Sequence, residues 1–280
     1  SEHRSRMAGS LPALAFGAFL VQTTLVFAGN SRLFGILNEG SGWYTNIEMA
    51  VRYTSLVTPA KWAFAIWGVI YLWETVAMVY LAFYPAVSTW STLCLWLAAN
   101  AFQALWAPLF ATEKLLLSAL ALGGIALSLV ALVLTLPVGS ILDYFCFAAP
   151  LWLHAGWVVA ASLVNLNLAA AYSAAIGSAA QLAFAAASAY AASLVGVALL
   201  ALAPSGAASA LPALFSLGWA LAAIRSEIRA PDQIKASIAY ADIGEVGRQA
   251  LEITLRALIF TLAIASAAFV IVPATREALA

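Results

Sequence analysis

Five polar side chains that could contact a ligand interrupt strongly apolar stretches of the sequence: Glu74, Asn100, Gln103, His154 and Asn165. Lipid cannot satisfy such groups, so in a membrane protein they face other helices or an internal cavity. Amides and imidazoles often do no more than hydrogen-bond neighbouring helices. A carboxylate is costlier to bury, which favours a paired or ligand-binding role for Glu74. The sequence alone leaves both alternatives open.

Aromatic residues share a helix face with the buried acid. On an α-helix, Trp67, Tyr71, Glu74 and Met78 fall within about 60° of one another, since each residue turns the helix by about 100°. Trp62 points away from this face, at a position typical of an interfacial anchor. The second apolar segment therefore combines aromatic rings, a thioether and a carboxylate on one side.

The third and fifth apolar segments repeat this arrangement. Asn100 and Gln103 share one face of the third segment, whereas His154 and Asn165 share one face of the fifth, with Trp157 on its flank. Short loops make these helices neighbours. We therefore expect the polar and aromatic faces to converge inside the bundle.

The composition predicts the class of protein. Of 280 residues, 65% are hydrophobic and 9% are charged, whereas a soluble domain carries roughly 25% charged residues. The sequence therefore predicts an all-α polytopic membrane protein. Twelve basic and twelve acidic residues cancel, which argues against nucleic acid as a partner.

Eight segments are long enough to span a bilayer, which needs about 20 apolar residues. They are approximately 10–28, 61–84, 90–111, 115–136, 145–172, 179–203, 208–224 and 251–273.

Two longer polar stretches connect the predicted spans. Residues 29–59 are rich in aromatic and aliphatic side chains, so we expect this first loop to fold back against the bundle mouth. Residues 225–249 have the pattern of an amphipathic interfacial helix. They lead into Arg248, Glu252 and Arg256, whose spacing predicts an ion ladder along one helix face.

The composition changes after residue 173. Residues 1–173 hold nearly all the tryptophans and the polar groups at membrane depth. Residues 174–280 are rich in Ala, Leu and Ser and include the amphipathic segment near 225–250. Small residues let helices approach closely. We predict a five-helix functional unit followed by a packing extension of about three more transmembrane helices.

Signatures of common enzyme classes are absent from the sequence. It contains no nucleophile elbow, Walker loop, HExxH or CxxC motif and no paired carboxylates on adjacent predicted helices. An inverted repeat, which would point to a transporter, is not evident either. We therefore predict a protein that is not an enzyme, with no catalytic residues and no metal held by the protein alone.

Three motifs occur in order along the first five spans. GWYTNIEMAVRYTSLVTPAKWAFAIWGVIYLWE (42–74) has a Trp-Tyr pair, a proline-containing entry and a W-x-F…W…Y helix; ALWAPLF (104–110) and WVVAASLVN (157–165) follow. They resemble the first loop and the second, third and fifth helices of the TspO/MBR family, the translocator or tryptophan-rich sensory proteins. The sequence looks closest to the longer, divergent branch. The resemblance covers about residues 10–172, and Gln103 replaces the family's asparagine.

The resemblance implies a TspO-like five-helix bundle that binds a flat hydrophobic ligand, a tetrapyrrole (porphyrin) or a sterol-like molecule, beneath the first loop. Indole and phenol rings suit such a ligand because they stack on flat π-systems. By this resemblance, Trp43 and Tyr44 would close the mouth. The walls would be Trp67, Tyr71, Trp106 and Trp157, and the polar contacts would be Glu74, Gln103, His154 and Asn165.

A second hypothesis belongs to another class, an accessory structural subunit of a large organellar complex, photosynthetic or respiratory. It draws on the Ala-rich extension and on a chain that starts at Ser1, as an imported protein would. In that setting the candidate axial ligand to a chlorophyll magnesium is His154, with Glu74 or Gln103 as alternatives, and a carotenoid or lipid is the alternative cofactor. Membrane lipids, other subunits or a second copy would be the partners. The membrane would be thylakoid or mitochondrial in a eukaryote and the inner membrane in a bacterium.

Overall fold

The computed structural model describes residues 2–32, 35–136, 138–231 and 234–279, and within them the side chains of 12–32, 35–136, 138–231 and 238–270. Over this part of the chain the fold is helical, without β-strands. The helices are α1 (Glu2–Asn30), α2 (Asn46–Arg52), α3 (Ile66–Phe83), α4 (Trp90–Ala111), α5 (Leu115–Thr135), α6 (Ile141–Asp143), α7 (Ala149–Tyr172), α8 (Ser178–Leu202), α9 (Leu211–Arg229), α10 (Ile234–Asp242) and α11 (Gly244–Leu279).

The prediction of eight spans is confirmed. Within the described residues, eight helical segments are long and apolar enough to cross a membrane. Their bounds are Pro12–Asn30, Lys61–Phe83, Trp90–Ala111, Leu115–Thr135, Ile141–Tyr172, Ser178–Leu202, Ala207–Arg229 and Gly244–Val270. The fifth and eighth begin earlier than expected. The short helix Ile141–Asp143 precedes the fifth, and polar first turns from Gly244 precede the apolar stretch of the eighth.

Five helices form a closed ring in which α1 packs on α3, α3 on α7, α7 on α5, α5 on α4, and α4 on α1. Helix α7 is the best-enclosed span, because it also contacts α8 and α9 outside this ring. Helix α11 packs against α8 and α9 on the far side. The first loop and the residue Ala60 that follows it hydrogen-bond to the C-terminal ends of α4, α7 and α9, so these parts lie at one end of the bundle.

The seam between α7 and α9 depends on a glycine. A Cβ atom on Gly156 would collide with the backbone carbonyl oxygen of Ala213 and with the hydroxyl of Ser216. Small residues allow this close backbone approach. Helices α8 and α9 thus pack directly on α7 of the five-helix ring, and α11 packs on α8 and α9.

The first loop folds back over the mouth of the bundle, as the sequence predicts. Thr45 and Glu48 form a capping box that starts α2. The backbone N–H of Tyr44 donates to the carbonyl of Ala111 at 2.9 Å, and that of Ala60 donates to Ala223 at 3.1 Å. These bonds tie the loop to both α4 and α9.

Trp62 lies at the outer edge of the bundle, where 44% of it is exposed. Its ring packs edge-on against Trp219 of α9, with centroids 4.7 Å apart. The indole N–H of Trp219 in turn donates to the carbonyl of Ala63. This contact joins the entry of the second span to the extension.

The second polar stretch contains the short helix α10. Residues 232–233 and the side chains of 234–237 lie outside the described residues. The ion pairs near this stretch differ from the prediction. The predicted ion ladder within α11 is wrong. Glu252 instead accepts a hydrogen bond from Nε of Arg225 at 2.6 Å, and Arg248 lies 3.3 Å from Glu245. The reason is that α9 packs alongside α11 and brings Arg225 within reach of Glu252.

Candidate ligand-binding site

The predicted face of α3 is buried in the centre of the ring. The rings of Trp67 and Tyr71 stack with centroids 5.5 Å apart and an interplanar angle of 17°. Tyr71, Glu74 and Met78 are buried below Trp67. The helical wheel therefore predicts the orientation of this face correctly.

The buried acid has a partner on α7. Nδ1 of His154 lies 2.6 Å from Oε1 of Glu74, and both side chains are almost fully enclosed. The second carboxylate oxygen and Nε2 of His154 have no hydrogen-bond partner among the described residues. When Nδ1–H donates to the carboxylate, a neutral imidazole keeps Nε2 as an acceptor. The pair therefore offsets the desolvation of Glu74 and fixes the orientation of His154.

The two amides of α4 have different partners. Nε2 of Gln103 donates to the hydroxyl of Tyr71 at 2.7 Å, so Gln103 joins the polar layer beneath Trp67. Nδ2 of Asn100 donates to the carbonyl of Trp96 in its own helix. Asn100 thus serves its own helix, whereas Gln103 bridges α3 and α4.

Three tryptophans from three helices surround the space above this polar layer. Trp67 of α3 lies 6.3 Å from Trp106 of α4 and 6.0 Å from Trp157 of α7, measured between ring centroids. The ring of Phe110 stacks on Trp106, and Phe64 meets Trp157 edge-on. We call the space that these rings border the aromatic cavity.

The aromatic cavity holds about 60 Å³. Its polar wall includes Asn165, and Trp67, Trp106 and Trp157 form the aromatic walls. Ligand pockets usually measure about 300–1,000 Å³. A tetrapyrrole therefore requires the cavity to open.

The first loop and α9 complete the cavity. The loop contributes Asn46, Ala50, Tyr53, Thr58 and Pro59, and α9 contributes Ala220 and Ile224. Sequence reasoning missed these residues. The capping box of Thr45 and Glu48 is the sequence signal that could have predicted the loop residues, because it starts helix α2, which directs Ala50 toward the cavity. No comparable signal marks α9, whose alanines look like ordinary packing residues.

Not every predicted site residue lines the aromatic cavity. Tyr71, Glu74, Gln103 and His154 lie in the layer beneath Trp67, whose ring meets His154 edge-on at 5.6 Å. An axial bond from His154 to a chlorophyll magnesium in this cavity would require Trp67 to move.

The predicted lid residues Trp43 and Tyr44 also lie outside the cavity wall. Trp43 packs against α1, where a Cβ on Gly29 would be 3.0 Å from its ring. The guanidinium of Arg52 sits 4.8 Å from the ring centroid of Tyr44. Both residues therefore brace the loop from behind.

The loop is fastened over the cavity at two points. The hydroxyl of Tyr53 donates to Glu113 at 2.9 Å, and Arg52 forms an ion pair with the same carboxylate. The hydroxyl of Tyr172 donates to the carbonyl of Thr54 at 2.9 Å. Burial and the Glu113 carboxylate raise the pKa of Tyr53, so its hydroxyl remains a donor at neutral pH. We call the contact of Arg52 and Tyr53 with Glu113 the loop latch.

Two polar atoms of the walls are candidates for ligand contacts. Trp106 and Trp157 line the cavity, and the indole N–H of each is buried without an acceptor among the described residues. Buried donors of this kind are usually satisfied in native proteins. The described residues contain no group of three or more His, Cys, Asp or Glu side chains that could hold a metal ion.

Comparison with known proteins identifies the family. A family model described as TSPO-like protein matches residues 19–265, which cover the five-helix ring from within α1 onward and most of the C-terminal extension. No curated protein and no solved structure matches the chain significantly. The match extends well beyond the motifs at 42–74, 104–110 and 157–165. The chain is an integral multi-pass membrane protein and belongs to the TSPO-like protein family.

Proposed function

We propose that the protein binds a flat hydrophobic ligand, a porphyrin-type tetrapyrrole or a sterol-like molecule, in the aromatic cavity. The observation that carries the proposal is the set of three indoles from α3, α4 and α7, two of which have buried, unpaired N–H donors. Flat rings gain from stacking on indole. A ligand with carbonyl or carboxylate groups at its edge would also accept from Trp106 and Trp157.

The small size of the cavity makes the first loop part of the binding step. A cavity of about 60 Å³ is too small for a macrocycle. The first loop therefore has to move away from the five-helix ring before the ligand enters. The loop latch and the bond between Tyr172 and Thr54 resist this opening. The ligand then enters at the end of the bundle that the first loop covers, and opening of this loop controls its entry.

Tryptophan quenching tests the proposal. Titration of the purified protein with protoporphyrin should quench its fluorescence saturably. Trp67→Leu and Trp157→Leu should each weaken binding by about tenfold, as expected for the loss of one aromatic contact. Trp90→Leu is the control, because Trp90 is exposed at the opposite end of α4. Quenching that does not saturate, or that is equally weakened by all three substitutions, would refute the proposal. Competition by a sterol would show which ligand class is preferred.

A second candidate function is that of an accessory subunit in a larger membrane complex. Only 17% of the residues in the most apolar window of α11 are buried, the lowest value among the eight spans. This helix therefore presents most of its surface to lipid or to another protein. Native electrophoresis in mild detergent separates these cases: comigration with a very large complex supports the subunit role, and a small free species counts against it.

A further inference from the structure

A second pocket lies between α9 and α11, apart from the aromatic cavity. Its volume is about 350 Å³, and guanidinium groups dominate its lining. We call it the arginine pocket; its charged side chains are Arg225, Arg229, Arg248, Arg256 and Glu252. Five charged groups in one pocket are unusual in a chain with only 9% charged residues.

The arginine pocket carries excess positive charge. Arg225 pairs with Glu252 at 2.6 Å, and Arg248 pairs with Glu245 at 3.3 Å. Arg229 and Arg256 are exposed and have no ion-pair partner among the described residues. Four guanidinium groups and one carboxylate, Glu252, thus line the pocket, so it suits an anion with several oxygen atoms. Guanidinium groups bind phosphate well because their planar donors match its oxygens.

The position of the pocket places it at the membrane interface. Arg225 and Arg229 occupy the last turns of α9, and Arg248 lies near the start of α11. Arg256 lies two turns further into the span Gly244–Val270. A charged side chain facing lipid at this depth is costly unless it reaches a headgroup or a counter-charge. Basic pockets between transmembrane helices are suited to lipid headgroups.

An apolar surface continues from the pocket along α11. Ile253 and Phe260 lie three residues before and four residues after Arg256, on the same side of the helix, and are 52% and 62% exposed. We propose that the arginine pocket binds the headgroup phosphate of an anionic phospholipid whose acyl chains lie along Ile253 and Phe260. A lipid satisfies the arginines and covers the apolar surface together, whereas free phosphate satisfies the arginines alone. A zwitterionic lipid would bring its ammonium group against the excess positive charge.

Native mass spectrometry of the purified chain tests this proposal, which is independent of ligand binding in the aromatic cavity. Phosphatidylglycerol should bind at least about tenfold more tightly than phosphatidylcholine with the same acyl chains, given the contribution of each basic residue near anionic lipid. The double substitution Arg229→Gln and Arg256→Gln should remove most of this preference. Replacing both residues by lysine should retain much of it.

Lys114→Gln is the matched control, since Lys114 is exposed at the same end of the bundle and lies outside the pocket. It removes one positive charge and should leave the lipid preference unchanged. Equal binding of the two lipids by the unsubstituted chain would overturn the proposal without any variant. So would displacement of the lipid by millimolar inorganic phosphate, because that result would describe a general oxyanion site.

Discussion

The aromatic cavity and the arginine pocket lie at the same end of the bundle but differ in how their polar groups are satisfied. Beneath the cavity, Glu74 and His154 pair with each other across α3 and α7, and both are almost fully buried. In the arginine pocket, two of four arginines are exposed without a partner among the described residues. The cavity holds about 60 Å³, whereas the pocket, which is open to the surface, holds about 350 Å³.

This difference shows what each region needs from outside the protein. The layer under Trp67 is held together by two internal hydrogen bonds, Glu74 with His154 and Gln103 with Tyr71. The cavity above it offers aromatic rings and two indole donors. The arginine pocket has charge that the protein itself does not balance. Substitutions in the inner layer should therefore affect folding stability, and substitutions of the exposed arginines should affect lipid binding alone.

The largest effect is expected from breaking the buried pair. His154→Leu leaves the carboxylate of Glu74 without its partner, and removal of one member of a buried pair typically costs about 3–5 kcal/mol. The double substitution Glu74→Met and His154→Leu should recover part of this loss, because no buried charge remains. Denaturant unfolding in detergent measures both free energies.

Asn100→Ala provides the comparison for this experiment. Its amide donates only to the carbonyl of Trp96 in the same helix, so the expected loss is about 1 kcal/mol. If the double variant loses as much stability as the single variants Glu74→Met and His154→Leu lose together, the two side chains do not act as a pair.

An intermediate effect is expected at the seam between the ring and the extension. Gly156→Ala forces α7 away from α9, because the added methyl group collides with Ala213 and Ser216. Overpacking of this kind costs about 1–3 kcal/mol. It should also shift Ala220, a wall of the aromatic cavity, and weaken porphyrin binding.

Gly218→Ala is the matched substitution, since a Cβ there would meet nothing within 4 Å. It should leave stability unchanged or raise it by up to about 1 kcal/mol, as expected for replacing glycine inside a helix. Thermal unfolding separates the two variants. Equal losses for both would mean that α7 and α9 do not approach as closely as the structure indicates.

The smallest effect concerns the loop latch. Tyr53→Phe removes one hydrogen bond to Glu113, worth about 0.5–1.5 kcal/mol, and should increase the association rate of a porphyrin about three- to tenfold. Tyr190→Phe is the control, because Tyr190 is exposed on α8. Stopped-flow quenching measures the rate. An unchanged rate in the Tyr53 variant would show that the loop does not limit entry.

Much of the fold follows from the sequence because apolar length is a strong local signal. Eight segments were predicted and eight are present within the described residues. The face of α3 also follows from helical periodicity. Periodicity alone did not give the partner of Glu252, since the choice between Arg248 and Arg225 depends on how α9 packs against α11.

The candidate site was predictable only in part, because its geometry depends on how the helices pack against one another. The tryptophans of the cavity were identified from motifs and helix faces. The placement of His154 and Glu74 beneath Trp67, and not on the cavity wall, depends on tertiary packing and could not be predicted from the motifs. Ala220 and Ile224 line the cavity because α7 and α9 pack closely at Gly156. Nothing in the sequence around Gly156 predicts this close packing. Residues Trp43 and Tyr44 carry the family motif but brace the loop from behind.

A cavity-filling substitution tests the central claim most directly. Ala161 lines the aromatic cavity, so Ala161→Phe should fill it while leaving every tryptophan in place. Ala187→Phe adds the same side chain at an exposed position on α8. Porphyrin binding followed through the absorbance of the porphyrin itself should be lost in the Ala161 variant and retained in the Ala187 variant. Full affinity in the Ala161 variant would contradict binding in this cavity.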